Sequence, residues 1–376
     1  MNEEFLLSVV IATHNREEYA FDSIRSIIDF TRKDVEVVIS DTSDSIELKK
    51  KIERHYFNCE RVRYSYISEE LSMTENYNRA VSMARGRYVC LIGDDDSVHP
   101  SIAEFAELMD KQAINILTPR IIANYSWPDF ETKVFGSTHS GKLYVDNYTR
   151  EICEKNSREQ LKKSLNHACQ GTDHLPKFYH GLVKKSVLDQ IKNKHGDYFF
   201  GVSPDVSISI SLCLESKTYH TIDFPVTIPG ASKNSNTGRS AMNKHKGNLE
   251  DDEHIKPFKN LHWDCRVPRF FSVETVWSQA AIETLKLYSL DSKFNYSRLY
   301  ALCLIKHRGY FHQISQSRKD SKTSLLSVLL GTVSAYGKIF ERILRRLLNP
   351  SASGGKKTYG PFNTIYDAIE CIKNEQ

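Results

Sequence analysis

The chain has 376 residues, of which 40% are hydrophobic and 26% are charged, an ordinary composition for a globular protein with a large core. Its formal charge of +4, from 51 basic and 47 acidic residues, is too small to indicate a nucleic-acid-binding protein. The eight cysteines contain no C-x-x-C pair, so the sequence disfavours a disulfide framework or a zinc site and favours reduced thiols.

The N-terminal stretch MNEEFLLSVVIATHNREE differs from a signal peptide, because acidic residues precede its short apolar run. The sequence also lacks a run of the roughly 18 apolar residues that a membrane-spanning helix requires. We therefore expect a cytoplasmic protein, and the length indicates about two domains.

The N-terminal part of the chain alternates between strand-like and helix-like patterns. Short runs rich in apolar and β-branched residues predict buried strands, alternation of apolar and polar residues also predicts a strand, and apolar residues three or four apart predict helices. The predicted strands are 6–12, 35–40, 62–67 and 87–92, and the predicted helices are 17–30, 47–56 and 74–85. This alternation predicts an α/β fold with a mostly parallel sheet, right-handed connections and flanking helices.

The patterns become less regular after residue 100. We predict a helix over 101–111, a strand over 114–118, a short strand and helix over 181–191, a helix over 204–215 and a strand over 219–228. Residues 123–178 look loop-like, and 231–246 form a polar, basic segment typical of a mobile loop. From about 270 onward the patterns are helical.

Three consecutive aspartates, Asp94, Asp95 and Asp96, directly follow the predicted strand 87–92. Adjacent carboxylates repel one another unless a cation is near, and Mg²⁺ or Mn²⁺ binds carboxylates together with substrate phosphates. Gly93 lets the backbone bend and lets a ligand approach. Because ligands bind beyond the carboxyl ends of such strands, we predict a metal–diphosphate site here. The alternative is a solvated acidic loop or a helix N-cap.

Three segments carry a resemblance to a known family, and they occur in the family's order. LSVVIATHNR, VEVVISDTSDS and NRAVSMARGRYVCLIGDDDSVHP together resemble glycosyltransferase family 2. The resemblance is close over the first 110 residues or so, continues weakly to about 240 and is absent beyond. It implies a GT-A type Rossmann-like fold and an inverting transfer from a nucleotide-diphosphate sugar, with a uridine nucleotide favoured as the donor.

The resemblance also implies roles for individual residues. The residues to which the resemblance assigns nucleotide-sugar binding are Thr13, Asn15, Arg16, Asp41, Asn78, Asp94 and Asp95. A literal D-x-D motif gives Asp94 and Asp96, whereas alignment on the following His-Pro pair gives Asp95 and Asp96, which we favour as ligands of Mn²⁺ or Mg²⁺. Each of these residues also has an ordinary structural alternative, such as a strand end, a turn or a surface charge.

An inverting transfer needs a general base that takes the proton from the acceptor hydroxyl. The segment GVSPDVSISISL offers Asp205, because Pro204 suits the first turn of a helix. The alternative is that Asp205 only complements the helix dipole. In FYHGLVKKSVL, the resemblance assigns His180 and Gly181 to the acceptor pocket. The alternative is that His180 is a histidine packed in the protein interior without a role in binding.

The resemblance leads us to expect a catalytic domain over 1–250, with a nucleotide-binding half (1–110) and an acceptor half (111–250). The helical patterns predict a mainly helical region over 251–376. The expected function is transfer of a sugar to a glycan or lipid-linked acceptor in cell-surface polysaccharide synthesis. Loop 231–246 is either a lid over the diphosphate, with His245 as an added ligand, or a plain surface loop.

Two other function classes share parts of this pattern. A nucleotidyltransferase or similar metal–phosphate enzyme would need a glycine-rich phosphate loop after the first strand, and HNREEYAF contains no glycine. A non-catalytic assembly subunit that binds nucleotide sugars would keep the fold and could lose the base. Measured turnover of the donor discriminates between these classes.

Residues 324–348 place apolar side chains on one helical stripe, with Lys338, Arg342, Arg345 and Arg346 in the second half. The stripe is typical of a core helix, of a contact in a homo-oligomer, or of a basic helix lying on an anionic membrane. The last interpretation would place the enzyme peripherally on the inner face of the membrane, near a lipid-linked acceptor.

Overall fold

The computed structural model describes residues 5–172, 174–235, 238, 246–259, 261–348 and 355–374, with the side chains of 334 and 338–348 excepted. The helices are α1 (Glu17–Phe30), α2 (Glu47–Tyr56), α3 (Met73–Ser82), α4 (Ile102–Lys111), α5 (Ser157–Asn166), α6 (Lys185–His195), α7 (Pro204–Glu215), α8 (Val273–Leu287), α9 (Tyr296–Lys306), α10 (Phe311–Asp320), α11 (Leu325–Leu348) and α12 (Ile365–Asn374). Short 3₁₀ turns cover Leu249–Asp251, Asp291–Lys293 and Arg308–Tyr310.

The strands are β1 (Leu7–Thr13), β2 (Val35–Asp41), β3 (Val62–Tyr66), β4 (Tyr88–Ile92), β5 (Ser97–Val98), β6 (Ile116–Pro119), β7 (Ala123–Ser126), β8 (Leu143–Val145), β9 (Ile152–Asn156), β10 (Leu182–Lys184), β11 (Thr218–Ile222), β12 (Thr227–Ile228), β13 (Gly230–Ala231), β14 (Lys246–Gly247), β15 (Phe271–Ser272) and β16 (Lys357–Tyr359). The largest sheet of the described residues has eight strands in the order β3-β2-β1-β4-β10-β6-β11-β9.

Most strands of this sheet run in one direction. β1 pairs in parallel with β2 and β4, and β2 pairs in parallel with β3. β10 runs antiparallel between β4 and β6, and β9 runs antiparallel to β11. The predicted mostly parallel α/β architecture is confirmed.

Both faces of the sheet are covered by helices. Val9 and Val37 pack with α1, α2 and α4 on one face, whereas Val10 and Val38 pack with α3, α6 and α7 on the other. Successive side chains of a strand point to opposite faces, so a strand covered on both sides must be apolar at nearly every position. This is why β1 appears in the sequence as a continuous uncharged run and why β2 is rich in Val and Ile, although β2 also contains Glu36, which pairs with Arg85.

Three helices have the predicted bounds, namely α1, α2 and α7. The loop-like segment 123–178 contains β7, β8, β9 and α5, whose strands are only three to five residues long. The predicted strand 219–228 is divided into β11 and β12. It breaks where Asp223 accepts hydrogen bonds from Arg120 and Thr149, and Pro225 cannot donate one.

The helical C-terminal region shares a core with the preceding half of the chain. Val206 and Ile210 of α7 pack in one cluster with Ala280 and Ala281 of α8. The end of the chain packs with the N-terminal part, although the sequence predicts a domain boundary at residue 250 that would separate the two. Within the described residues, β16 pairs with β8, and α12 packs on α1, because apolar side chains around Ile365 complete a core with β7 and β8.

Within the described part of the chain, no helix combines the length and the apolar character needed to cross a bilayer. All eight cysteines belong to the described residues, and each is a free thiol.

Candidate active site

The carboxyl ends of β1, β2 and β4 meet at one edge of the sheet. Thr13 lies opposite Asp41 in the register, and Ile11 lies opposite Ile92, the last residue of β4. The three aspartates that follow β4 therefore arrive beside the end of β1, as the sequence predicts. Thr13 Oγ1 donates a hydrogen bond of 2.8 Å to Asp94 Oδ2.

Arg16 supplies the positive charge closest to the aspartates. Its Nε lies 2.7 Å from Asp94 Oδ1, and its Nη2 lies 2.8 Å from Asp95 Oδ2. Burial opposes the charge of Arg16, but these two carboxylates raise its pKa. The guanidinium therefore stays charged and holds Asp94 and Asp95 side by side.

Asp95 has hydrogen-bond donors on one of its two carboxylate oxygens. Burial and the neighbouring charge of Asp96 raise the pKa of Asp95 to about 7. Its Oδ2 accepts hydrogen bonds from Ser232 Oγ (2.6 Å) and from Arg16. Among the described residues, nothing donates a hydrogen bond to Asp95 Oδ1, so this oxygen retains its full capacity to accept.

Asp96 is enclosed by donors from three parts of the chain. Its Oδ1 accepts from the Gly230 amide (2.6 Å), and its Oδ2 accepts from the Gly93 amide (2.6 Å) and Tyr179 Oη (2.9 Å). His180 Nε2 lies 3.3 Å from the same Oδ2. Burial opposes ionisation, but His180 and the two amides outweigh it and lower the pKa of Asp96.

Gly93 leaves room for the ends of two side chains that approach it closely. A Cβ atom at this position would lie 2.7 Å from Tyr179 Oη and 2.8 Å from Asp96 Oδ2, distances that real Cβ atoms do not adopt. Its φ is not in the positive range, so the predicted sharp bend is not the reason for glycine. Close approach of the tyrosine and the carboxylate is the reason.

The aspartates lie in a cavity of about 1020 Å³. One wall comes from the ends of β1 and β2 and from α3, including Arg16, Asn76 and Tyr77. Other lining residues come from α7 and from α8, which contributes Trp277. The cavity is large enough for a nucleotide sugar together with part of an acceptor.

Asp205 also lines this cavity, from the first turn of α7, where Pro204 occupies the predicted early position. Ser203 Oγ donates to Asp205 Oδ1 over 2.5 Å and so fixes the carboxylate. Burial, followed by the charge of Asp205, raises the pKa of Tyr77, whose hydroxyl therefore remains protonated.

A smaller cavity of about 270 Å³ adjoins the first one. The two share Tyr179, His180, Asp205 and Pro229 as lining residues. Asp205 therefore stands in the wall common to both cavities, where a group entering from either side could meet its carboxylate.

Asn15 and Asp41 lie at the predicted edge. Asn15 Nδ2 donates to Asp44 Oδ2 over 2.8 Å, which ties the end of β1 to the turn after β2, and Asn15 lines the cavity. Asp41 is fully buried and accepts hydrogen bonds from Tyr64 Oη (2.5 Å) and the Ser43 amide (2.8 Å). Asp41 is not among the residues that line the cavity.

The structure does not bring Asn78 to the cavity. Its Oδ1 accepts from the amides of Tyr198 and Phe199, each at 3.0 Å, and its Nδ2 donates to the Phe199 carbonyl. Asn76, two residues earlier, lines the cavity and is hydrogen-bonded to Ser40 and the Thr13 carbonyl. Residues two apart on a helix point to nearly opposite sides, so only one asparagine can face the site.

His180 lies in the cavity wall with φ +65°, and its buried Nδ1 has no hydrogen-bond partner among the described residues. Gly181 is packed against its own turn, because a Cβ there would lie 1.8 Å from the Lys177 carbonyl oxygen. Of the predicted acceptor pair, the structure therefore brings only His180 to the cavity.

Sequence reasoning missed several residues of the site. Tyr179, Ser232 and Trp277 come from three separate segments of the chain. Tyr179 directly precedes the predicted residue His180, and Ser232 lies within the predicted loop 231–246. Trp277 is distinguished in the sequence only by its aromatic side chain. The predicted loop residues Asn236, Arg239 and His245 lie outside the described residues. Lys233 and Ser235 are described, and the Lys233 amide donates to Asp129.

The described residues contain no preformed cluster of three acidic, histidine or cysteine ligands for a metal. The charge balance nevertheless fits a divalent cation, because three buried carboxylates face one guanidinium and one histidine. Mg²⁺ commonly uses one or two carboxylates and takes its remaining ligands from water and substrate phosphates. Asp95 Oδ1 is the oxygen that suits this role, whereas the donors around Asp96 leave it less free than predicted.

Residues 8–172 match the family model described as Glycosyl transferase family 2. The chain is 29% identical over 191 residues to an uncharacterized glycosyltransferase of Methanocaldococcus jannaschii, covering 50% of this chain and 58% of the relative. It is 32% identical over 113 residues to abequosyltransferase RfbV of Salmonella typhimurium, covering 29% of this chain and 34% of the relative.

A third relative is the GalNAc(5)-diNAcBac-PP-undecaprenol beta-1,3-glucosyltransferase of Campylobacter jejuni, 28% identical over 94 residues, or 24% of this chain and 30% of the relative. The chain thus spans less than two thirds of each of these proteins. Among solved structures, S. aureus TarS 1–349 in complex with UDP-GlcNAc aligns with a TM-score of 0.47 and 14% identity, covering 90% of this chain and 82% of that chain.

Proposed function

Residues 8–172 form a glycosyltransferase family 2 domain, and on this premise we propose that the chain is an inverting transferase. It moves a sugar from a nucleotide-diphosphate sugar to a glycan or lipid-linked acceptor. The observation that carries this proposal is the cavity in which the three aspartates after β4 and Asp205 of α7 meet.

The donor binds at the edge formed by β1, β2 and β4. Arg16 and Thr13 hold Asp94 in place, and the Arg16 guanidinium provides the positive charge that a diphosphate requires. Uridine is the favoured base by family resemblance. Asp95, supported by Asp96, would hold a divalent ion, which supplies positive charge to the departing diphosphate when it is bound.

Asp205 is the general base of the proposed reaction. Its carboxylate accepts the proton of the acceptor hydroxyl while that oxygen forms a bond to the anomeric carbon. The bond from this carbon to the diphosphate breaks on the opposite side, so the configuration inverts. The hydrogen bond from Ser203 orients the carboxylate for this task.

The acceptor approaches from the side of α7 and α8. Trp277 presents an aromatic surface to the cavity, and such surfaces suit the apolar faces of sugar rings. The Campylobacter and Salmonella relatives are named for transfer to a lipid-linked glycan and for abequose transfer, which supports a role in cell-surface polysaccharide synthesis. Contact with a membrane or a second copy of the chain would assist delivery of such an acceptor.

The test compares the wild type with Asp95→Asn and Asp205→Asn in Mn²⁺, with Asp320→Asn on α10 as the matched control. We expect Asp95→Asn to lose metal-dependent donor binding. Asp205→Asn should bind the donor normally but lose turnover by a factor on the order of 10² to 10⁴. A wild type that binds the donor without hydrolysis or transfer would instead indicate a non-catalytic assembly subunit.

A thermal-shift screen identifies the donor. Ligands that bind only the folded state raise the melting temperature by mass action, so nucleotide diphosphates and their sugars can be ranked with and without Mn²⁺. We expect uridine nucleotides to give the largest shift. Equal shifts for uridine, thymidine and guanosine nucleotides would contradict the assignment of the base.

A further inference from the structure

α11 exposes an unusual concentration of large apolar side chains. Leu325, Leu326, Leu329, Leu330, Val333 and Tyr336 are between 49% and 69% exposed. They account for six of the thirteen exposed large hydrophobic residues in the described part of the chain. We call these six residues the apolar face of α11. Their spacing of one, three and four places them on adjacent turns of one side of the helix.

The opposite side of α11 fixes its orientation. Val328 and Ala335 are buried, and Arg298 of α9 donates from Nη1 to the Gly331 carbonyl over 3.1 Å. A Cβ at Gly331 would lie 3.1 Å from the Ser297 carbonyl oxygen, so the two helices approach closely at this point. Because this side of α11 packs against α9, the apolar face points away from the core of the described residues.

Exposed positive charge precedes the apolar face in the structure, and basic residues follow it in the sequence. Lys319 and Lys322 are exposed just before the helix. In the sequence, residues 337–348 contain four basic residues and one acidic residue, a net charge of 4 − 1 = +3. A partner that covers this face must therefore accept apolar side chains and carry negative charge. A second copy of α11 would bring like charges together.

We propose that α11 docks in the plane of an anionic lipid bilayer, with its apolar face at the boundary between headgroups and acyl chains. In-plane helices bind through buried apolar area together with attraction between basic side chains and anionic lipids. This docking does not depend on the donor or acceptor proposed above. It concerns a surface outside the active-site cavity, so either proposal can fail without the other.

The experiment measures co-sedimentation of the full chain with vesicles of phosphatidylcholine alone and with vesicles of equal parts phosphatidylcholine and phosphatidylglycerol. We expect binding to the anionic vesicles that weakens in high salt, and little binding to phosphatidylcholine. The Leu326→Glu/Leu330→Glu variant should reduce the partition coefficient roughly tenfold or more. Both side chains are exposed, so the fold should persist, which circular dichroism checks.

The matched control is Phe57→Glu/Val134→Glu, which adds the same charge at two apolar side chains that are more than 80% exposed elsewhere. Control and wild type should bind the anionic vesicles equally. Absence of wild-type binding would overturn the proposal, as would equal binding by the α11 variant and the control. A wild-type dimer that the α11 variant converts to monomer, without vesicle binding, would also overturn it and assign the face to self-association.

Discussion

Arg16 Nε donates a hydrogen bond of 2.7 Å to Asp94 Oδ1, although 78 positions separate the two residues in the sequence. One residue follows the first strand of the sheet and the other follows the fourth. Since these strands are neighbours, their ends meet, and the guanidinium becomes the main counter-charge of the aspartate cluster.

Arg16→Gln should therefore destabilise the fold as well as weaken donor binding. It leaves Asp94 and Asp95 buried without a cationic partner, a change that costs about 3–5 kcal/mol in comparable buried pairs. Urea denaturation measures the loss. Arg32→Gln is the control, because Arg32 pairs with Asp34 and Glu107 at an exposed site and should lose less than about 1 kcal/mol. Equal losses in both variants would contradict this account of the cluster.

Asn78→Ala should reduce turnover without affecting donor affinity. The Asn78 side chain holds the backbone of Tyr198 and Phe199, and this segment leads into Ser203 and Asp205. Loosening it would misplace the carboxylate, and misplacement by about 1 Å can cost up to about 100-fold in rate. Donor hydrolysis gives the rate, and calorimetry gives the donor affinity.

The control for this prediction is Asn58→Ala, an exposed asparagine after α2. It should leave both quantities unchanged. If Asn78→Ala weakened donor binding and left the rate intact, Asn78 would have the donor-binding role that the family resemblance implies.

Metal-dependent donor binding should strengthen as the pH rises from about 6 to about 8. The pKa of Asp95 is raised to about 7 by burial and by Asp96, so the carboxyl is mostly protonated below this value and ionised above it. A cation needs the ionised form. Calorimetric titration of UDP with Mn²⁺ across this range measures the effect, and a flat profile would contradict Asp95 as the ligand.

Glu274 at the start of α8 should stabilise the fold near neutral pH and make the unfolding free energy sensitive to acid. Burial opposes its ionisation, but hydrogen bonds from His307 and Lys306 outweigh burial and lower its pKa to about 2. Because the folded-state pKa lies below the ordinary value of 4.5, the stabilisation is complete above about pH 4.5 and is lost as the pH falls toward 2.

Glu274→Gln should remove up to about 3 kcal/mol of stability near neutral pH and flatten the acid dependence of the unfolding free energy. Denaturation at several pH values tests this expectation. Glu60→Gln, at an exposed position, should keep the wild-type dependence. An acid dependence of Glu274→Gln that matches the wild type would show that other groups control acid unfolding.

The sequence was most informative where one physical pattern dominates. α1 has its predicted bounds because apolar residues recur at helical spacing, and β1 and β2 are recognisable because both faces of the sheet are buried. The short strands between residues 123 and 156 were missed, because runs of three to five residues carry too few positions for a period to emerge.

The position of the candidate site was also predictable, and its internal pairing was not. The sequence alone determined that three carboxylates follow a buried strand and reach the binding edge of a parallel sheet, because strand direction follows from the alternation of elements. Only the tertiary structure decided that Asn76 rather than Asn78 faces the cavity and that Tyr179 and Gly230 hold Asp96. Those contacts join residues far apart in the chain, and packing of whole elements sets their distances.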